Sequence, residues 1–100
     1  MAQTPERKVK EKVTAILREH GVYYFFPPSN GFGRAGIPDI IACYKGTFIA
    51  IECKAGSNKP TALQLRELDK IRDAGGVAFV INETNIETVR TTLTLLGEMK

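Results

Sequence analysis

Three charged side chains interrupt two otherwise apolar stretches near the middle of the chain: Asp39 within residues 37–43, and Glu52 and Lys54 within residues 47–54. Side chains alternate along an extended strand, so Asp39 shares a face with Ile41 and Cys43, while Glu52 and Lys54 share one with Ala50 and Phe48. If the two stretches pair, both carboxylates and the ammonium converge on one sheet face. An ionised group in an apolar strand is costly to bury alone, so these residues need one another, a metal ion or water. Two carboxylates on neighbouring strands suit a hard divalent cation such as Mg2+, which takes oxygen ligands and usually keeps several waters. A lysine two residues beyond the second carboxylate points to the same side, where it could hold an attacking water or a phosphate oxygen. Metal, activated water and ammonium together describe a phosphodiester-cleaving site. Singly, each residue has a plainer reading. Asp39 follows Pro38 and could be a turn residue, and Glu52 with Lys54 could be an exposed ion pair worth under about 1 kcal/mol. The chemistry rests on their coincidence.

The elements that must position these groups can be read on either side. Lys45-Gly46 joins the two stretches and predicts a β-hairpin. Upstream, Thr4-Pro5-Glu6 opens a helix that Gly21 ends, with Val9, Val13, Ile16, Leu17 and His20 on one stripe. Glu6 projects near the centre of that stripe, Glu19 sideways and Glu11 nearly opposite. Residues 22–26, rich in aromatics, predict a first strand that Pro27-Pro28 ends. Its Tyr23, Tyr24, Phe25 and Phe26 are assigned to sheet core and interface rather than to base stacking. The Gly- and Pro-rich segment 27–36, which contains Arg34, reads as a surface loop leading into the hairpin. Downstream, Thr61 and Gln64 fit a capping box that opens a helix with Leu65, Leu68 and Ile71 apolar. Residues 77–81 predict a buried strand. Thr84 and Glu87 fit a second capping box before a last helix with Ile86, Val89, Leu93 and Leu96 inward. This order predicts one mixed α/β sheet, three strands antiparallel and the fourth returning parallel to the third through a helical crossover.

Composition narrows the class. A chain of 100 residues, 43% hydrophobic and 25% charged, is expected to form a single domain over residues 1–100. No stretch approaches the roughly 20 apolar residues of a membrane span, and the first residues lack the apolar core of a signal peptide, so a cytoplasmic protein without a membrane partner is expected. The cysteines Cys43 and Cys53 fall on opposite faces of the hairpin, which disfavours a disulfide, and one histidine leaves zinc few ligands. A net charge of +3 tolerates a polyanionic partner without demanding one. Lys10, Arg34 and Lys59 are the candidate DNA contacts, with Lys8, Lys12 and Arg66 as further basic positions. Arg34 is favoured because its loop abuts the site.

The pattern Gly36-Ile37-Pro38-Asp39 followed by Glu52-Cys53-Lys54 resembles the PD-(D/E)XK nuclease superfamily. With Glu6 in the first helix, the glycine-rich loop and Gln64 opening the next helix, residues 6–81 are similar to its virus-type replication-repair nuclease (VRR-NUC) branch. The resemblance implies a restriction-endonuclease-like αβββαβ core, here with an extra C-terminal helix, and a metal-dependent DNA endonuclease yielding 5′-phosphate and 3′-hydroxyl ends. It implies that Asp39, Glu52 and the carbonyl of Cys53 hold Mg2+ or Mn2+, that Lys54 orients the water, and that Gln64 and Glu6 complete the site. From the residues alone, Gln64 could simply cap its helix, Glu6 could answer the helix dipole, and Glu11 competes with Glu6. Stand-alone members of this branch resemble Holliday junction resolvases, so branched DNA and a homodimer are expected, in a bacterium or a phage-infected host cell. A catalytically silent DNA-binding or assembly module of the same fold is the alternative, and a purely structural α/β protein a third reading.

Overall fold

The structure, a computed structural model, describes residues 4–28 and 35–99. Helix α1 (Pro5–Glu19) begins where the sequence predicts: the Thr4 side chain accepts from the Arg7 amide, and Pro5 sits in the first turn. It stops at His20, and Gly21 at φ +70° turns the chain into strand β1 (Tyr23–Phe25). Strands β2 (Ile40–Tyr44) and β3 (Thr47–Cys53) form the hairpin. Its two-residue turn, Lys45 at φ 52° and Gly46 at φ 83°, lies in the left-handed region that matches strand twist. Helix α2 (Ala62–Asp73), strand β4 (Val77–Ile81) and helix α3 (Glu87–Met99) follow.

The four strands lie in the order β1-β2-β3-β4, with β1/β2 and β2/β3 antiparallel and β3/β4 parallel. The αβββαβ order with a final helix is the expected one. One sheet face carries Ile40, Ala42, Ile49, Ile51, Cys53 and Ile81 into a core with Val9, Val13, Leu17, Val89 and Leu93 of α1 and α3. The other carries Ala50 and Ala78 against Leu68 of α2, with Ile41, Ile71 and Val80 alongside. Because β3 packs on both faces, its last five residues are all buried, Glu52 among them.

Three local expectations change. Strand β1 is shorter than 22–26: Val22 is buried beside the end of α1, and Phe26 lies beyond the sheet and is 48% exposed. The second capping box does not form. Asn82 accepts both the Thr84 amide and its hydroxyl, and Asn85 answers with its carbonyl oxygen on the Asn82 amide; these bonds fold residues 82–85 into a turn, and α3 starts only at Glu87, so Thr84 lies ahead of the cap position. Leu65 is 46% exposed on α2 while Glu67 is buried, so the inward stripe runs through Leu68 and Ile71 without Leu65. Among the described residues, no helix is long and apolar enough to cross a membrane.

Candidate functional site

Glu52 occupies the second-last position of β3, on the face toward α2, and is 2% exposed. Its Oε2 receives two donors: Lys54 Nζ at 3.2 Å and Gln64 Nε2 at 3.0 Å. Its Oε1 is buried and has no hydrogen-bond partner among the described residues. The sequence left open an exposed Glu52–Lys54 pair, but with the two side chains 2% and 13% exposed, the ion pair is largely shielded from water. Burial, then the nearby charge of Asp39, lifts the Glu52 carboxyl to about 7 against the opposing pull of Lys54; Glu6 adds to the rise.

Asp39 reaches the same place by another route. It sits in the bend just before β2, beyond the last hairpin pair Ile40↔Ile51. Past that pair, β3 runs on against β4 alone: the Lys54 amide donates to Ile81, and the Cys53 amide, facing the opposite edge, donates to Asp39 Oδ2 at 2.8 Å. The carboxylate stands in for the missing strand acceptor, which holds it against Cys53 and close to Glu52. The Cys53 thiol itself is fully buried in the core and pushed up to about 12 by burial and by the charges of Asp39 and Glu52, so its side chain is inert. Both cysteines are free.

Gln64 resolves a choice the sequence left open by serving both ends of its amide. Its Oε1 accepts from the Thr61 amide at 2.9 Å, completing a capping box in which Thr61 Oγ1 accepts from the Gln64 amide, while its Nε2 donates to Glu52. The cap sets the rotamer that aims the donor. Gln64→Glu should keep the cap acceptor yet bring a third carboxylate against Glu52. Urea unfolding at pH 8 should show a loss of about 1–3 kcal/mol.

A cavity of about 610 Å3 opens from Asp39 and Cys53 between α1 and the end of β1. Glu6 and Glu11 both line it. It is Glu6 whose charge is felt at Glu52 and Cys53, whereas Glu11 pairs with Arg7 at 3.9 Å on the exposed side. Lys10 also lines the cavity, and Lys59 is exposed on the loop between β3 and α2. Arg34 lies outside the described residues. The sequence reading missed Tyr24, Phe26 and Arg18 on the cavity wall. Alternation could have flagged Phe26, since it shares a face with Tyr24 just where Pro27 ends the strand.

Among the described residues, no group of three or more histidine, cysteine or acidic side chains forms a ready metal cage. The donor set is instead two neighbouring carboxylates, one with a buried partnerless oxygen, beside a β3 backbone that could add a carbonyl. All-oxygen ligation completed by water fits Mg2+ or Mn2+.

Residues 3–92 match the sequence profile of the family described as archaeal Holliday junction resolvase (Hjc). The chain belongs to that family. The Hjc-family chain is also 32% identical, over 81 residues covering 80% of it and 84% of the relative, to a protein named "Putative nuclease p44" from Acyrthosiphon pisum secondary endosymbiont phage 1. Its fold is similar to a solved VRR_NUC domain, with a TM-score of 0.68, 23% identity and coverage of 96% and 97% of the two chains. It is similar as well to the Hjc Holliday junction resolvase of Archaeoglobus fulgidus, with a TM-score of 0.58, 22% identity and coverage of 76% and 66%. The expected nuclease family and the mixed-sheet fold are therefore both found.

Proposed function

We propose that this Hjc-family chain, a structure-selective endonuclease, hydrolyses phosphodiesters of branched DNA, four-way junctions included, with Mg2+ or Mn2+ as cofactor. The observation that carries the reading is the buried Glu52 carboxylate near Asp39, one oxygen fixed by Lys54 and Gln64 and the other without a partner among the described residues. Asp39, Glu52 and the Cys53 carbonyl would hold the ion. When bound, it supplies Lewis-acid stabilisation of the phosphoryl charge and a water of lowered pKa.

The side chains do the rest. Glu52 is held in one rotamer by two donors, so its free oxygen is presented without rearrangement. Lys54, 13% exposed, can turn its remaining N–H groups to the attacking water or to a phosphate oxygen as negative charge develops there. Glu6 adds negative charge from α1 at the cavity wall. Lys10 and Lys59, with Arg34, contact phosphates. A homodimer would present two such sites to paired strands. On the α2 side of the sheet, Tyr23, Phe25 and Phe48 are 70%, 45% and 46% exposed, an apolar face that a second copy would cover. Light scattering should therefore give twice the mass of the chain.

The test is a fluorescent four-way junction incubated with protein and Mn2+ or Mg2+, beside flapped and linear DNA and a Glu52→Ala control. Cleavage of the junction by the native protein alone is expected; no cleavage of any of these DNAs with either metal would overturn the reading. Lys54→Ala should bind the junction with affinity near native in EDTA while kcat falls about a hundredfold or more. Normal turnover by that variant would remove Lys54 from its assigned role.

A further inference from the structure

The aromatic part of the wall of the 610 Å3 cavity, Tyr24 and Phe26, has no part in the chemistry above. Phe26 lies there, just beyond β1 and stiffened by the following Pro27-Pro28, and is 48% exposed. An aromatic ring left this open in a cavity that ends at a nuclease site is a poor use of core material. Its surroundings are ordered. The Tyr24 ring, 5.9 Å away at an interplanar angle of 57°, supports it from the sheet, and the Tyr24 hydroxyl is held by Arg18 Nη1 at 3.2 Å. Lys10 Nζ stands over the Phe26 ring, 4.3 Å from its centroid. The same residue lines the cavity together with Asp39 and Cys53. One cation thus stands over an exposed ring in the cavity that Asp39 also lines.

We propose that Phe26 and Lys10 form a rest for a single unstacked DNA nucleotide beside the scissile phosphate, the base stacking on Phe26 and the phosphate meeting Lys10. The proposal rests on the nuclease reading and names how that site takes its substrate. An exposed cation–π contact is weak, so Lys10 can leave the ring for a phosphate oxygen, uncovering the face on which a base then stacks. Any base has such a face, so the contact does not read sequence. It reads structure, because a nucleotide can enter only where it is free of its neighbours in the stack, as at a branch point or a single-stranded end. Tyr24, pinned by Arg18, keeps the ring from folding back onto the sheet.

The chain contains no tryptophan, so Phe26→Trp places one reporter in the cavity. In EDTA, its emission should be quenched by a saturating four-way junction and far less by a fully paired duplex of equal length. With Mn2+, Phe26→Ala and Phe26→Leu should both raise KM for the junction about tenfold, because leucine keeps apolar bulk but cannot stack. Lys10→Met should raise KM similarly and flatten its salt dependence. Native KM in Phe26→Leu would mean that the ring only packs, and would overturn the rest. A native enzyme that cleaves the junction while the Phe26→Trp emission stays unmoved overturns the rest and leaves the nuclease reading standing. Junction-selective quenching without cleavage by any metal supports the rest and removes the nuclease reading.

Discussion

Glu52→Gln should abolish cleavage, by about a thousandfold or more, while making the metal-free protein more stable at pH 8. The two effects have one origin. Burial and Asp39 lift the Glu52 carboxyl from 4.5 to about 7, so the folded protein holds this proton more tightly than the unfolded chain does. A carboxyl raised in this way contributes stability that is complete below about pH 4.5 and is lost as pH climbs through about 7. Above that range the native state carries a buried anion at a net cost on the order of 3 kcal/mol, the attraction of Lys54 already included. Glutamine keeps an oxygen for Lys54 and Gln64 and carries no charge to desolvate. In EDTA, thermal melts of the native protein should fall in Tm from pH 4.5 to 7, and those of Glu52→Gln should stay comparatively flat. Adding Mn2+ at pH 8 should raise the native Tm and leave the variant unmoved, since only the carboxylate can use the ion. A variant that retained cleavage, or that gained as much from Mn2+ as the native protein, would remove Glu52 from the metal site.

Gly36→Ala is expected to be the most damaging small change outside the charged groups. Gly36 adopts φ +84°, and a Cβ there would lie 2.5 Å from the Leu63 carbonyl oxygen, 2.6 Å from its carbon and 2.9 Å from the Gln64 amide nitrogen. These are backbone atoms in the first turn of α2, so no side-chain rotation relieves the overlap. The left-handed conformation costs about 1–2 kcal/mol and the steric conflict about 1–3 more, giving roughly 2–5 kcal/mol in urea unfolding. Relief requires the start of α2 to move, and Gln64 moves with it, so the folded fraction should also lose turnover. Gly21→Ala is the control: φ is +70° there, but nothing lies within 4 Å of an added Cβ, so about 1–2 kcal/mol is expected with activity intact. Equal losses at the two glycines would mean that the contact with α2 carries no weight.

Much of this protein is legible in one dimension because its signals are local. Alternation, the Lys45-Gly46 turn and the Thr61/Gln64 cap each act over a few residues, and each appears in the structure where the sequence places it. The second capping motif is the instructive failure. Thr84 and Glu87 have the right spacing, but the Asn82 side chain accepts from the Thr84 amide and hydroxyl and folds residues 82–85 into a turn, so α3 starts only at Glu87. Spacing alone does not show which local turn forms first along the chain.

By itself, the sequence determined the element order, the alternation that brings Glu52 and Lys54 to one face, and the candidate trio of Asp39, Glu52 and Lys54. Tertiary structure decided what those groups experience. Alternation cannot show that Asp39 binds the Cys53 amide, because that contact exists only where β3 outruns β2 and pairs with β4, a strand more than twenty residues further on. Nor can it show that Gln64 caps its helix and steadies Glu52 at once, since the second bond needs α2 laid across the sheet. Proton affinity and ligand readiness depend on desolvation and on charges brought together through space, and chain order carries neither.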